Sequence, residues 1–440
     1  MQSIYLFNTN LQSLERLQRL EPSIKAVWYD GDSEIIRGLT EMYRIKRLFV
    51  EENIIDRVQT VLGNELQKDT SLELIPAPNE DYSEKGLREL PTCLVPSNDT
   101  HVYLFEPILK HLSSHQICVS SLKHESANEA LEQLGLNALP LNFERKSIKQ
   151  FGALLTANDW GLVELYANKM FQKYGVKTIC LQESVIQFND SNHRMEWANY
   201  PLLQGLPSIG CLNKRVVFLT GNPRYEWLKP TITPPQFSIL INCNFTYGVH
   251  ETIRGEWIED VVDVCNSHKA DYLIAQHPRD NGDLAKYHHT PSNAGVIHGL
   301  LKDSTILITR FSSLIHEALA LGRPVIYYNP HGESTRYAFE ADGKHLMIAR
   351  NKSELILAVD QMIRCVVQDP SSDHFFKKYC LRHLGASDGN ASVRVSAAIK
   401  TIQRLNYIQS GRDISMMRLS YRFIRTRLGQ RNIKRSRHER

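Results

Sequence analysis

The sequence predicts an α/β protein: two domains with parallel sheets that face each other across a gap, followed by a basic helical tail. Three observations carry this prediction. Short apolar runs alternate with amphipathic stretches along most of the 440 residues, and strands separated by helices pair in parallel, with helices on both faces of the sheet. The alternation stops at Lys229-Pro230-Thr231-Ile232-Thr233-Pro234-Pro235-Gln236, where three prolines in eight residues neither continue a helix nor sit inside a sheet. It then restarts and runs to about residue 366. At roughly 150 residues per domain, the length fits two to three domains.

Taken in order, the first half has strand-like runs at 4–7, 25–29, 72–75, 101–105, 116–120, 151–156, 177–181 and 216–219, with helical patterns at 11–20, 35–44, 127–134 and 162–174. Beyond the prolines, strands are expected at 237–242, 271–275, 305–309, 324–328 and 345–349, and helices at 257–267, 313–321 and 353–366. The expected units are a first domain over 1–228, a linker over 229–236, a second domain over 237–385, a C-terminal helix within 386–410 and a tail over 411–440. In open α/β sheets ligands bind beyond the carboxyl ends of the strands, so the gap between the domains is where function is expected.

Composition narrows the classes. The chain is 42% hydrophobic and 23% charged, which excludes disordered, collagen-like and low-complexity proteins. No apolar run approaches the ~18 residues of a membrane span. Met1-Gln2-Ser3-Ile4-Tyr5-Leu6-Phe7 has neither a basic leader nor a small-residue cleavage site, so a cytoplasmic chain is expected. The eight cysteines form no Cys-x-x-Cys pair and read as reduced core thiols, without zinc-ligand spacing. The formal charge of +4 is uneven: 411–440 holds ten Lys/Arg against Asp413 and Glu439, a balance of +8 that leaves −4 for the body. That body does not suit nucleic acid; the tail suits an anionic partner. Apolar residues at 414, 417, 421, 424 and 428 give the tail one helical stripe.

Several loops after strands carry reactive side chains. In Thr305-Ile306-Leu307-Ile308-Thr309-Arg310-Phe311-Ser312-Ser313, a helix begins at Ser312 or Ser313, where free amides and the helix dipole favour phosphate. Arg310 adds a donor, and Glu317, one turn on from Ser313, can accept from vicinal ribose hydroxyls. The competing reading is a serine cap and a surface glutamate. Gln276-His277-Pro278-Arg279 follows a strand; His277 and Arg279 suit a phosphate, or a solvated turn. Asn329-Pro330-His331-Gly332-Glu333 suits a loop over a ligand, with His331 as a donor. Opposite them, Asp159 in Asn158-Asp159-Trp160-Gly161 and Glu183 in Gln182-Glu183-Ser184 each follow a strand. Either suits a base or nucleophile; Asp159 equally suits a helix cap and Glu183 a plain loop carboxylate. Gly221-Asn222-Pro223-Arg224 reads as a tight turn before the linker, with Arg224 able to reach the gap.

Together, Asn158-Asp159-Trp160-Gly161, Gln182-Glu183, Gly221-Asn222-Pro223-Arg224, His277-Pro278-Arg279, Ser312-Ser313 with Glu317-Ala318, and Gly322-Arg323-Pro324-Val325-Ile326 resemble the GT-B-fold nucleotide-sugar glycosyltransferases of bacterial capsule and lipopolysaccharide assembly. CDP-glycerol glycerophosphotransferases and UDP-N-acetylglucosamine 2-epimerases are cousins. The resemblance covers roughly 150–365. It implies two Rossmann-like domains, a nucleotide-sugar donor on the second with phosphates near His277, Ser312 and Ser313 and ribose near Glu317, and a glycan or lipid-linked glycan acceptor on the first. It implies no cofactor and no metal, since helix dipole and basic groups stabilise the leaving phosphate. Asp30-Gly31-Asp32 has the spelling of a metal pair but follows an early strand of the acceptor side. Where the epimerases have a glycine-rich turn, this chain has Arg310-Phe311-Ser312-Ser313, and Ser184 stands where acceptor loops often have glycine. The expectation is a glycosyltransferase, peripheral at the inner face of the cell membrane through 411–440. The alternatives are a UDP-sugar 2-epimerase, a glycerophosphotransferase and a non-catalytic nucleotide-sugar-binding partner.

Overall fold

A computed structural model describes residues 3–8, 11–30, 34–68, 72–77, 90–120, 125–185, 195–246, 249–293, 295–385, 388–405 and 408–412. Among them are two sheets whose strand pairs are all parallel. The first has eleven strands in the spatial order Glu73–Ala77, Arg47–Glu51, Ser3–Phe7, Lys25–Tyr29, Val216–Leu219, Tyr200–Leu203, Lys177–Leu181, Ala153–Thr156, Thr92–Val95, His115–Val119, Leu139–Pro140. The second has six: His289–Pro291, Asp271–Gln276, Ser238–Cys243, Ile306–Thr309, Val325–Tyr328, Leu346–Ala349. Strands such as Ala153–Thr156 and Ile306–Thr309 are buried at every position. Helices cover both faces, so these strands read as continuous apolar runs rather than alternating ones.

The order reveals how the lobes are wound. In the second lobe the chain starts at Ser238–Cys243, moves out to His289–Pro291, then crosses to Ile306–Thr309 and moves out the other way. The strands from Thr92–Val95 to Val216–Leu219 repeat this winding in the first lobe. Crevices for ligands open where such a winding reverses. Residues 3–77 add a four-stranded unit, joined to the edge strand Val216–Leu219 through Lys25–Tyr29. The described strands from Ser3–Phe7 to Val216–Leu219 therefore form one continuous sheet built from two wound units.

The lobes are tied by buried polar contacts. Arg323, fully buried, donates to the carbonyls of Thr231, Ile232, Leu301, Lys302 and Leu321 and to the Thr231 hydroxyl, fastening the proline linker to the second lobe. The helix Ala391–Arg404 crosses back to the first lobe, burying Val395, Ala398, Ile399 and Ile402 there. Lys177 Nζ donates to the carbonyls of Ile402 and Gln403 at that helix's end, where a cation suits the dipole.

Two corrections concern the elements. The segment expected as a strand at 101–105 lies in the helix Asp99–Leu109. Its aromatic and branched residues look strand-like in isolation, but His101, Leu104, Phe105 and Ile108 are buried at helical spacing. Arg47–Glu51, Ile55–Lys68, Thr92–Val95, Tyr200–Leu203 and His374–Leu384 were not expected. The tail helix expected over 414–428, and Gly31-Asp32 of the Asp30-Gly31-Asp32 stretch, lie outside the described residues. No helix among the described residues is long and apolar enough to cross a membrane.

Candidate functional site

The first lobe contributes three strand-end loops. After Thr92–Val95, Asn98 caps the helix Asp99–Leu109, its Oδ1 accepting the His101 N–H at 2.9 Å. His101 is fully buried. Its Nδ1 accepts the Ser97 N–H at 3.1 Å, so the ring proton sits on Nε2, which donates to Glu183 Oε2 at 3.2 Å. After Lys177–Leu181 comes Glu183 itself, with a side chain 24% exposed. After Val216–Leu219, Gly221 takes φ +80°, and a Cβ there would meet the Leu384 carbonyl and the Ala391 side chain at 3.1 Å. Asn222 then does two jobs. Its Oδ1 accepts the Arg224 N–H at 3.0 Å, and its Nδ2 donates to the carbonyls of Gln182 and Glu183 at 3.2 and 3.1 Å. One amide therefore fixes Glu183 relative to Arg224.

Arg224 meets the second lobe. Its Nη2 lies 3.8 Å from Glu317 Oε1. Nearby, Arg279 of the second lobe lies 3.9 Å from Asp99 of the first. Glu317 is nearly fully buried, accepts from His298 Nε2 at 2.6 Å, and has the Tyr225 hydroxyl beside it. Burial pushes the Glu317 carboxyl up, but the His298 bond and the Arg224 charge outweigh it and hold it below its ordinary value. Glu183 behaves alike: burial raises it, while His101, Arg224 and Arg279 bring it below its ordinary value. Both carboxylates are ionised at neutral pH. Three carboxylates, Asp99, Glu183 and Glu317, thus share two arginines where the lobes meet. An entering anion can claim the arginines, and a hydroxylic ligand can bind the carboxylates.

The other expected residues divide. His277 accepts the Arg279 N–H on Nδ1 at 3.1 Å, which leaves Nε2 as the donor; burial and Arg279 lower its pKa, so the ring is neutral at pH 7. The expected helix after Ile306–Thr309 is only the seven residues Leu314–Ala320, too short for a large dipole, and Ser312 Oγ accepts the Leu314 N–H at 3.2 Å. Ser313 lies beside Tyr225 of the first lobe. Asp159 is a correction. It is fully buried and accepts the N–H groups of Met195, Trp197 and Ala198 at 2.7, 2.7 and 3.1 Å. Its carboxylate anchors the loop before Tyr200–Leu203 rather than lining the gap. Burial raises it to about 6 despite those three bonds. Arg310 is also spoken for: its guanidinium donates to Glu333 Oε1 at 2.5 Å and to the Asn244 carbonyl at 3.2 Å. His331 lies beside Glu333, Nε2 to Oε2 3.5 Å.

His101 and His298 were missed as site residues. Val95-Pro96-Ser97-Asn98-Asp99 held the signal for the first, a strand end followed by helix-capping residues. Nothing local marks His298, which meets Glu317 only through the packing of the helix Ile297–Lys302.

No protein-family model matches this chain, and no curated protein matches it. Solved structures do. A putative UDP-N-acetylglucosamine 2-epimerase from Listeria monocytogenes is 14% identical, with a TM-score of 0.51 over 75% of this chain and 100% of that one. The UDP-GlcNAc 2-epimerase of Methanocaldococcus jannaschii, solved with UDP-GlcNAc and UDP, is 14% identical, with a TM-score of 0.50 over 70% and 99%. At this identity the likeness is one of fold. The chain has a two-domain, parallel-sheet α/β fold of the GT-B kind, like these two structures.

Proposed function

We propose that the chain is a glycosyltransferase that moves a sugar from a nucleotide-sugar donor to a surface polysaccharide or lipid-linked glycan. The observation that carries this reading is Arg224, 3.8 Å from Glu317 of the second lobe and a charge felt by Glu183 of the first. In this reading a diphosphate entering the gap takes over Arg224 and Arg279, with His277 Nε2 and the Ser312 and Ser313 hydroxyls as further donors. Glu317, oriented by His298, receives the ribose hydroxyls. Once the arginines turn to phosphate, Glu183 loses the charges that held its pKa down. It then becomes a competent base for the acceptor hydroxyl, aligned by His101. The leaving nucleotide is stabilised by arginines and imidazole, and no metal is assigned to it. The tail over 411–440, read from sequence alone, is assigned to an anionic membrane surface at the cytoplasmic side, where a lipid-linked acceptor would be found.

A UDP-sugar 2-epimerase is the second reading, favoured by the fold shared with the Listeria and Methanocaldococcus enzymes. One experiment separates the two. The protein is incubated with UDP-, GDP-, CDP- and CMP-sugars, with and without a glycan acceptor mixture, and nucleotide release and sugar identity are followed. Transfer predicts acceptor-dependent nucleotide release that Glu183→Gln abolishes. Acceptor-free interconversion of a UDP-sugar sinks the transferase in favour of the epimerase, and inertness toward every donor sinks both.

A further inference from the structure

We propose that His250, His331 and Glu333 form a site for one divalent transition-metal ion of the zinc class, set in the second lobe. The three residues come from two loops at the carboxyl edge of the second sheet, one after Ser238–Cys243 and one after Val325–Tyr328. One ligand atom from each lies within 4.8 Å of the others. His331 Nε2 is 3.5 Å from Glu333 Oε2, and His250 Nε2 is 4.0 Å from Glu333 Oε1. Two ligands each about 2.1 Å from a tetrahedral ion stand about 3.4 Å apart, so only a small inward movement is needed.

Two observations fit a ligand here. The His331 side chain is 9% exposed, its Nδ1 has no hydrogen-bond partner, and its Nε2 faces Glu333 Oε2 only at 3.5 Å, longer than a normal hydrogen bond. Orphaned buried acceptors and imidazole nitrogens are costly unless something fills them. The frame is already built: Asn329 Oδ1 accepts the Glu333 N–H at 2.7 Å while its Nδ2 donates to the Glu333 carbonyl at 2.9 Å. Arg310 holds Glu333 Oε1 and leaves Oε2 for an ion, in the way outer partners orient ligating carboxylates. Two imidazoles and a carboxylate are a donor set for zinc-class ions, with a fourth position left to water. The ion would clip the two loops together. This claim is separate from the transfer reading, and neither depends on the other.

The test uses tag-free, full-length protein stripped with chelator and dialysed. Cobalt(II) is titrated as a spectroscopic probe, with Zn²⁺ as competitor, and thermal unfolding is followed with and without Zn²⁺. The expected result is one equivalent bound with the absorption of a four-coordinate site, displaced by Zn²⁺, and a melting temperature raised by the ion. Affinity should fall at least about tenfold in His331→Ala and in Glu333→Gln. Because Glu333→Gln also removes the partner of Arg310, His250→Ala serves as the variant that leaves that pair intact. Absence of binding overturns the proposal, as does binding that all three variants leave unchanged. So does stabilisation by inorganic phosphate, and not by Zn²⁺, that is lost in His331→Ala.

Discussion

Asp159 and Glu183 occupy equivalent places. Each follows a buried parallel strand of the first lobe, and the two strands, Ala153–Thr156 and Lys177–Leu181, are neighbours in the sheet. They end in opposite circumstances. Asp159 is sealed in and surrounded by three backbone N–H donors of one loop. Glu183 is partly open and surrounded by ionisable side chains from three elements: His101, Arg224 and Arg279. A carboxylate that satisfies main-chain amides is holding the chain in place. One that is satisfied by side-chain cations from both lobes can exchange those partners for a ligand.

Substitution at the two positions should therefore give opposite phenotypes, and this is the largest expected effect. Glu183→Gln should lower turnover by about 10²–10⁴-fold, the range for loss of a general base, with the melting temperature nearly unchanged. Asp159→Ala strands three amides and should cost about 3 kcal/mol or more in denaturant unfolding, with turnover per folded molecule preserved. A turnover loss in Asp159→Ala at full stability would erase the distinction. Next in size, Glu317→Ala should weaken nucleotide binding by about 10–100-fold in calorimetry, the loss of charge-assisted hydrogen bonds to ribose. An unchanged affinity removes Glu317 from the donor site.

His101 sharpens the comparison further. It touches Glu183 and not the gap, so His101→Ala should reduce kcat by about tenfold and move the acidic limb of the pH–rate profile upward. The shift follows because His101 is one of the groups holding Glu183 below its ordinary value. A merely structural histidine would leave the profile in place. The smallest effect is in pH-dependent stability. Asp159 rises from 3.8 to about 6 on folding. The folded chain then holds a proton that the unfolded chain has lost, so stability falls as pH rises through that window, and Asp159→Asn should flatten the slope. Glu183 and Glu317 act in the opposite sense: their stabilisation is present above 4.5, the ordinary glutamate value, and fades as pH falls through their lowered values.

What was legible in the sequence follows the same divide between local and long-range causes. Parallel α/β architecture and five of the six strands of the second lobe are written in local apolar periodicity and lie within a residue or two of expectation; the short edge strand His289–Pro291 was not expected. The addition of residues 3–77 to the edge of the first sheet is a pairing between Lys25–Tyr29 and Val216–Leu219, almost two hundred residues apart, and no local pattern encodes it. Site residues sort likewise. The places of Glu183 and Arg224 in loops after strands, and of Glu317 in the helix after Ile306–Thr309, were legible locally. The different surroundings of Glu183 and Asp159 were not, because they rest on which groups the fold places around each side chain. His101 was hidden by a misread helix, although Asn98 offered a cap. Arg310 was expected at the phosphate; its pairing with Glu333 depends on the fold bringing 310 and 333 together.

The central claim is that the gap crossed by Arg224 and Glu317 receives a nucleotide. Titration calorimetry with UDP, CDP, GDP and CMP, on the wild type, Arg224→Ala and Glu317→Ala, tests it most directly. One of these nucleotides should bind with one-to-one stoichiometry, and each substitution should weaken it about tenfold or more. Binding that neither substitution diminishes, or no binding by any of the four, would contradict it.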